Sequence, residues 1–124
     1  MTTYDTGGKW YHGSPLRLGV LLAGSTISQK RDLARIFSHK PSIVLIDDNA
    51  HIAHNGTAPG YLYEIAEPVM PEDVKPHPRT TMPPGDEWII SRPLMVVLLS
   101  ETTPDPAEAL TPEEQKRLRA LKIT

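Results

Sequence analysis

The chain contains no cysteine, and this absence excludes several kinds of chemistry. Disulfides, thiolate nucleophiles and zinc sites built on cysteine cannot form without it. Long apolar runs are also absent, since the longest, residues 93–99, has only the length of a strand and cannot cross a bilayer. Residues 1–9 lack the apolar core of a secretion signal. We therefore expect a cytoplasmic protein without membrane contact, although a domain cut from a larger secreted toxin would share these features.

An excess of positive charge is missing as well. The 13 lysines and arginines are outnumbered by 15 aspartates and glutamates, which gives a formal net charge of −2. Binding of nucleic acid without sequence preference depends on a basic surface, so the overall charge does not favour it. The chain has 124 residues, of which 39% are hydrophobic and 23% charged. These values predict one folded domain with a single core.

Thirteen prolines divide the chain into short segments and cluster within residues 68–84 and 104–112. Proline lacks a backbone donor, so these two stretches are predicted to be loops. The apolar segments between them predict about five strands and two or three short helices spread along the chain. This arrangement is typical of an α+β domain and not of alternating βαβ units.

Individual elements follow from local patterns. Ser28 is a candidate N-cap for a helix over residues 29–37, with Leu33, Ile36 and Phe37 on its apolar face. Residues 16–22 are compatible with a strand or a helical turn, and a turn is expected within residues 47–53. A long loop with a turn at residues 71–74 is expected from residue 67 to residue 84. Strands are predicted at residues 9–12, 42–46 (a buried strand), 61–66, 87–92 and 94–99, of which the last two are either separate strands or one strand bent at Pro93.

The composition changes after Glu101. Residues 102–109 are rich in proline and acidic side chains, and Thr111 is a candidate cap for a helix over residues 112–121. Leu118 and Leu121 are the only strong apolar positions of that helix. We therefore predict a domain of residues 1–101, followed in residues 102–124 by a linker and a C-terminal helix that is available to a partner.

Two short motifs carry the candidate chemistry. The first is the run Trp10-Tyr11-His12-Gly13-Ser14, and the second begins with Glu87 at the start of a β-rich segment. The first offers an imidazole, a flexible backbone and a hydroxyl, and the second offers a carboxylate. Brought face to face, such groups hold a ribose and polarise its glycosidic bond. Taken singly, each motif also fits an ordinary structural role at the end of a strand.

Together, the motifs resemble those of the diphtheria-toxin-like ADP-ribosyltransferases, a family that includes the poly(ADP-ribose) polymerases and the rifampicin-inactivating transferases. Residues 61–68 and 93–101 also resemble the central and last strands of the rifampicin-inactivating enzymes. The resemblance implies two small antiparallel-rich sheets around an NAD cleft. It implies that His12 contacts the adenosine ribose, that the Gly13 backbone pairs with the nicotinamide amide, and that Ser14 joins it. Glu87 is implied as the catalytic carboxylate, on the 2′-hydroxyl of the nicotinamide ribose.

The middle motif departs from the family pattern. The family places a tyrosine that stacks on nicotinamide in the strand after the first helix, where this chain has Val44 or Ile43. Tyr61 or Tyr63 is a candidate for supplying the missing ring from a neighbouring strand. Ser25 and Thr26 are candidates for contact with the pyrophosphate of NAD, although an ordinary loop explains them as well.

The activity that the resemblance implies is transfer of ADP-ribose from NAD to an unidentified acceptor, with release of nicotinamide. The acceptor is a protein side chain, a small molecule or a nucleic acid. Three alternatives remain open. They are a non-catalytic nucleotide- or protein-binding module of the same fold, an NAD-dependent RNA 2′-phosphotransferase that uses the basic residues from Lys30 to Lys40, and an interaction protein that docks through its C-terminal helix.

The histidines suggest a metal site less strongly. His51 and His54 are three residues apart and follow Asp47 and Asp48, a combination that can bind a metal ion. The segment lacks the long helix that presents such ligands in metalloenzymes. We therefore interpret it as a polar loop and expect no metal.

Overall fold

The structure is a computed structural model that describes residues 4–46, 49, 51–80, 82–83 and 85–123, with side chains described as far as Arg117. Two α-helices and two 3-10 turns accompany short strands in this part of the chain. The helices are α1 (Arg31–Phe37) and α2 (Pro112–Ile123), and the 3-10 turns are Pro71–Asp73 and Pro106–Glu108. The strands are β1 (Tyr11–Ser14), β2 (Val20–Leu21), β3 (Thr26–Ile27), β4 (Val44–Ile46), β5 (Ile52–His54), β6 (Gly60–Ile65), β7 (Val74–Pro76), β8 (Trp88–Ile90) and β9 (Leu94–Thr102).

The described strands form three antiparallel sheets. Four strands pair in the order β1-β6-β9-β2, three in the order β3-β8-β7, and β4 pairs with β5. The short helices lie outside these sheets. The prediction of an α+β chain with mostly antiparallel sheets is therefore confirmed.

The core lies between the four-stranded and the three-stranded sheet. Trp10, which precedes β1, and Trp88, in β8, are both buried there, with ring centroids 6.0 Å apart in an edge-to-face arrangement. The Trp88 indole N–H donates to the Gly85 carbonyl at 2.9 Å, which satisfies its polar atom. The aromatic residue beside each motif thus anchors that motif to the same core.

A strand is present within residues 42–46, but the prediction that it is buried is wrong. β4 pairs with β5, and Leu45 in its centre is 41% exposed. The turn expected within residues 47–53 is present at Asn49 but is shorter than expected, because β5 begins at Ile52. Asp47 and Asp48 lie outside the described residues. A run of β-branched residues favours extended backbone, but it does not distinguish a central strand from a peripheral hairpin.

The loop expected between residues 67 and 84 also contains regular structure. The turn expected at residues 71–74 is confirmed as the 3-10 turn at Pro71–Asp73, and the edge strand β7, which ends at Pro76, was not expected. Proline is tolerated on an edge strand because its missing N–H faces away from the ladder. No apolar run surrounds its sequence Val74-Lys75-Pro76, which is why the sequence did not predict this strand.

Both predicted helices are present. α1 begins at Arg31, two residues later than expected, because the Ser28 hydroxyl accepts from the Lys30 N–H before the first turn. α2 begins after Thr111, as predicted, and Thr111 and Glu114 cap each other's backbone N–H at 3.1 Å. The side chains of Leu118 and Leu121 lie outside the described part. None of the described helices is long and apolar enough to cross a membrane.

The segment between β9 and α2 packs on the rest of the chain. Glu108 accepts two hydrogen bonds from the Arg35 guanidinium, at 2.9 and 2.6 Å. The Leu110 N–H donates to the His54 carbonyl at 2.9 Å, and the Leu110 side chain is buried. The division at residue 101 stays a prediction, and these contacts are what a truncation would remove.

Candidate functional site

A cleft of about 210 Å³ collects residues from both motifs. His12 and Gly13 reach it from β1, and Glu87, about 75 residues later in the chain, reaches it from the position before β8. The remaining lining residues come from β1, β3, the position after β3 and helix α1. They are Tyr11, Thr26, Ile27, Ser28, Ala34 and Phe37.

Strand β3 joins the two motifs. After its last residue, Ser28 exchanges two backbone hydrogen bonds with Tyr11 of β1, at 2.7 and 3.0 Å. On its other edge, β3 pairs with β8, with Ile27 opposite Trp88. Because β3 contacts both neighbours through its backbone, His12 and Glu87 are held on either side of it.

The cleft opens where β1 and β3 separate. In the antiparallel register set by Tyr11 and Ser28, His12 comes to lie opposite Ile27, and the next pair placed to exchange backbone hydrogen bonds is Gly13 and Thr26. No backbone hydrogen bond joins these two described residues, and both line the cleft. The backbone pairing between β1 and β3 therefore ends at this point and leaves room for a ligand between the two strands.

The backbone of Gly13 points into this opening. Backbone groups alternate in direction along a strand, and the Trp10 carbonyl accepts from Ile65 beside β6, whereas Tyr11 faces Ser28. Residue 13 therefore has its N–H and C=O on the same side as those of Tyr11, away from β6. One donor and one acceptor are thus available to a ligand that lies in the cleft.

The packing of α1 explains why residue 13 has no side chain. A Cβ at this position would lie 1.7 Å from the Ala34 carbonyl oxygen of α1. The space is filled by the helix backbone and not by a ligand. Gly13 is therefore needed for the close packing of α1 on β1, which also brings Ala34 to the cleft wall.

His12 is held in one tautomer. Its Nδ1 lies 2.6 Å from the Thr26 carbonyl oxygen, so Nδ1 carries the proton and donates. Burial lowers the pKa of His12 below 6.5, and the hydrogen bond to Thr26 opposes that shift only in part. The imidazole is consequently neutral at pH 7, and its Nε2 can accept a hydrogen bond from a hydroxyl group.

Glu87 faces the cleft with one oxygen engaged. The Thr80 hydroxyl donates to Oε1 of Glu87 at 2.9 Å. Oε2 receives no hydrogen bond from any residue that the structure describes. The Glu87 carbonyl accepts from the His77 N–H at 3.1 Å, which fixes the backbone from which the side chain extends.

The aromatic wall of the cleft was not predicted. Tyr11 and Phe37 line it, and Phe37 is the single phenylalanine of the chain. The residue expected to replace the family's tyrosine, Val44, lies in the peripheral β4–β5 hairpin opposite His54, and it does not line the cleft. The sequence did contain a signal for placing Phe37 beside Ala34, because the two residues are three apart and share a face of α1.

Three other predicted residues lie elsewhere. The Ser14 hydroxyl is buried and accepts from the Leu16 N–H at 3.1 Å. The Ser25 carbonyl accepts from Ile90, within the β3–β8 pairing. Tyr61 lines a separate cavity, and the Arg17 guanidinium lies 5.3 Å from its ring centroid. The structure therefore brings together His12, Gly13, Thr26 and Glu87, and it does not add Ser14, Ser25, Val44 or Tyr61 to their cleft.

Two of the four basic residues from Lys30 to Lys40 already form ion pairs with carboxylates. Lys30 lies 2.8 Å from the buried carboxylate of Asp86, and Arg35 binds Glu108. Arg31 lies 6.0 Å from the ring centroid of Tyr11, at the rim of the cleft.

The described residues contain no group of three or more histidine and carboxylate side chains placed to hold a metal ion. His54 is buried against His39, with their rings stacked 5.6 Å apart.

Comparison with known proteins adds no relative to these observations. No family model matches the chain, and no curated protein or solved structure is significantly similar to it. A functional assignment therefore depends on the chemistry of the cleft and on the two motifs that meet in it.

Proposed function

We propose that the protein is an NAD-dependent ADP-ribosyltransferase of the family that its motifs resemble. One observation carries this proposal: His12, Gly13 and Glu87, from two motifs about 75 residues apart, line one cleft. The two larger sheets, which separate at this cleft, support an ADP-ribosyltransferase-like fold.

The cleft suits the nicotinamide end of NAD. Its volume of about 210 Å³ is below the range of about 300–1,000 Å³ typical of pockets that enclose a drug-sized ligand. The adenine and the pyrophosphate of NAD would therefore extend outside it, with the adenosine ribose near His12. The Gly13 N–H and C=O complement a primary amide, and Tyr11 and Phe37 offer faces to a flat ring. The neutral His12 accepts from a ribose hydroxyl.

The proposed chemistry is a substitution at the ribose carbon that bears nicotinamide. The bond from this carbon to the nicotinamide nitrogen breaks, and its electron pair leaves with nicotinamide. Positive charge develops on the ribose, where the Glu87 carboxylate stabilises it through space. A nucleophilic atom of the acceptor then bonds to the same carbon and gives up its proton to solvent.

The RNA 2′-phosphotransferase alternative receives less support. Such an enzyme needs cationic side chains that are free to hold a phosphate. Lys30 and Arg35 are paired with Asp86 and Glu108, so two of the four basic residues from Lys30 to Lys40 are already engaged by carboxylates. The absence of a tyrosine at Val44 still favours a non-catalytic NAD-binding module as the second candidate.

Measurement of nicotinamide released from NAD by the pure protein tests the proposal. Glu87→Gln should lower the release by about a hundredfold or more, with the affinity for NAD nearly unchanged, because the lost interaction belongs to the transition state. Glu101→Gln, an exposed glutamate on β9, is the matched control and should behave like the parent. Binding of NAD without release by the parent protein would favour the non-catalytic module. Neither binding nor release at millimolar NAD would reject both candidates.

A further inference from the structure

The loop that precedes β8 contains a threonine hydroxyl aimed at the proposed catalytic carboxylate. Thr80 is seven residues before Glu87, and its Oγ1 donates to Oε1 at 2.9 Å. We propose that Thr80 is a positioning residue that holds Glu87 in the orientation needed for catalysis. This inference rests on the proposed function.

The direction of this hydrogen bond is set by a second one. The Met82 N–H donates to the Thr80 oxygen at 3.0 Å, and the Met82 side chain is buried. A hydroxyl has a single proton, and the bond from Met82 uses one of its lone pairs. The proton of Thr80 is therefore directed at Glu87, which accepts it best as an ionised carboxylate.

The surrounding contacts fix the backbone of Glu87 but not its side chain. Trp88 is anchored in the core, and His77 donates to the Glu87 carbonyl. Beyond Cα, the glutamate has three rotatable bonds that these contacts leave free. Among the described residues, only Thr80 forms a hydrogen bond with the carboxylate. Because Thr80 engages Oε1, Oε2 is the oxygen left for the ribose.

Loss of this bond should act on the chemical step. A carboxylate that samples several rotamers still admits NAD, but it stabilises the developing charge for a smaller fraction of the time. Thr80→Val keeps the shape and removes the hydroxyl, which is the donor to Glu87 and also the acceptor for the Met82 N–H. We expect kcat for nicotinamide release to fall about tenfold, as is typical for loss of a hydrogen bond to a charged group, with KM for NAD within about twofold of the parent.

The test compares initial rates of nicotinamide release over a range of NAD concentrations, with melting temperatures as a check of folding. Thr80→Ser restores the hydroxyl and should return kcat to within about twofold of the parent. Thr103→Val, at an exposed threonine, is the matched control and should leave both constants unchanged. If Thr80→Val does not fold, Thr80→Ala is used in its place.

A double-mutant cycle with Glu87→Gln separates positioning from general stabilisation. If Thr80 acts through the carboxylate, Thr80→Val should have little further effect on release in the Glu87→Gln background. Independent, additive losses would overturn the inference, as would Thr80→Val with parental kcat or Thr80→Ser without rescue. An active parent with an equally active Thr80→Val overturns only the role of Thr80. A parent that releases no nicotinamide overturns the proposed function and this inference with it.

Discussion

Gly13 lies where strand β1, helix α1 and the cleft meet. Its backbone faces the opening, while the place of a side chain is occupied by the Ala34 carbonyl at 1.7 Å from an ideal Cβ. The first motif, which resembles a ligand-binding sequence, thus has a packing role as well. At the residue scale, one glycine serves both the fold and the proposed amide contact.

Gly13→Ala should therefore destabilise the protein strongly. The added methyl group meets helix backbone, which cannot rotate away as a side chain can, so we expect a loss of about 3 kcal/mol or more in the free energy of unfolding. Urea unfolding measures this change. Gly19→Ala is the matched control, because a Cβ there meets no atom within 4 Å. Equal stability of the two variants would contradict the close packing of α1 on β1.

At the element scale, the sequence revealed the strands that lie within apolar runs. β6 and β9 have six and nine residues, and their apolar patterns predicted them. β4 and β8 have only three residues each, but the apolar runs that contain them predicted strands there as well. β3, β5 and β7 have two or three residues outside such runs, which is too few to show alternation. β3 nevertheless joins the two motifs, so one of the shortest strands builds the cleft.

The segment that follows β9 offers a prediction at the same scale. A chain that ends at Glu101 loses the Glu108 partner of Arg35 and the buried Leu110, whereas a chain that ends at Thr111 retains both. We expect the shorter chain to melt several degrees lower. Both should still bind NAD, because every residue that lines the cleft precedes Trp88. Identical melting temperatures by calorimetry would show that residues 102–111 are separable from the domain.

At the scale of the whole molecule, buried histidines link stability to pH. Burial lowers the pKa of His12 and of His54 below 6.5, and the neighbouring His39 lowers that of His54 further. The His54 Nδ1 accepts from the Gly56 N–H at 3.0 Å, so protonation would also remove this bond. The unfolded chain binds protons more readily at both positions. The contribution of these two histidines to the free energy of unfolding is therefore fully present above pH 6.5 and declines below it.

We expect urea unfolding to show constant stability between pH 8 and 7 and a loss between pH 6.5 and 4.5. The paired carboxylates of Glu67, Asp73 and Glu108 have lowered pKa values, so their contribution is lost only at more acidic pH. The double variant His12→Gln/His54→Gln, which has no titrating group at these positions, should flatten the decline between pH 6.5 and 4.5. An unchanged slope in this variant would assign the decline to other groups.

The sequence alone determined the α+β class, the longer strands, the two helices and the two motifs with their proposed chemistry. These depend on local composition, periodicity and capping, which neighbouring residues set. The tertiary structure decided that His12 and Glu87 share a cleft, that Phe37 lines it and Val44 does not, and that Thr80 contacts Glu87. The position of the cleft residues depends on strand register and on the packing of α1 against Gly13, between residues far apart in the chain that no local pattern relates. The contact of Thr80 with Glu87 depends on the path of the loop before β8, which has no periodic pattern.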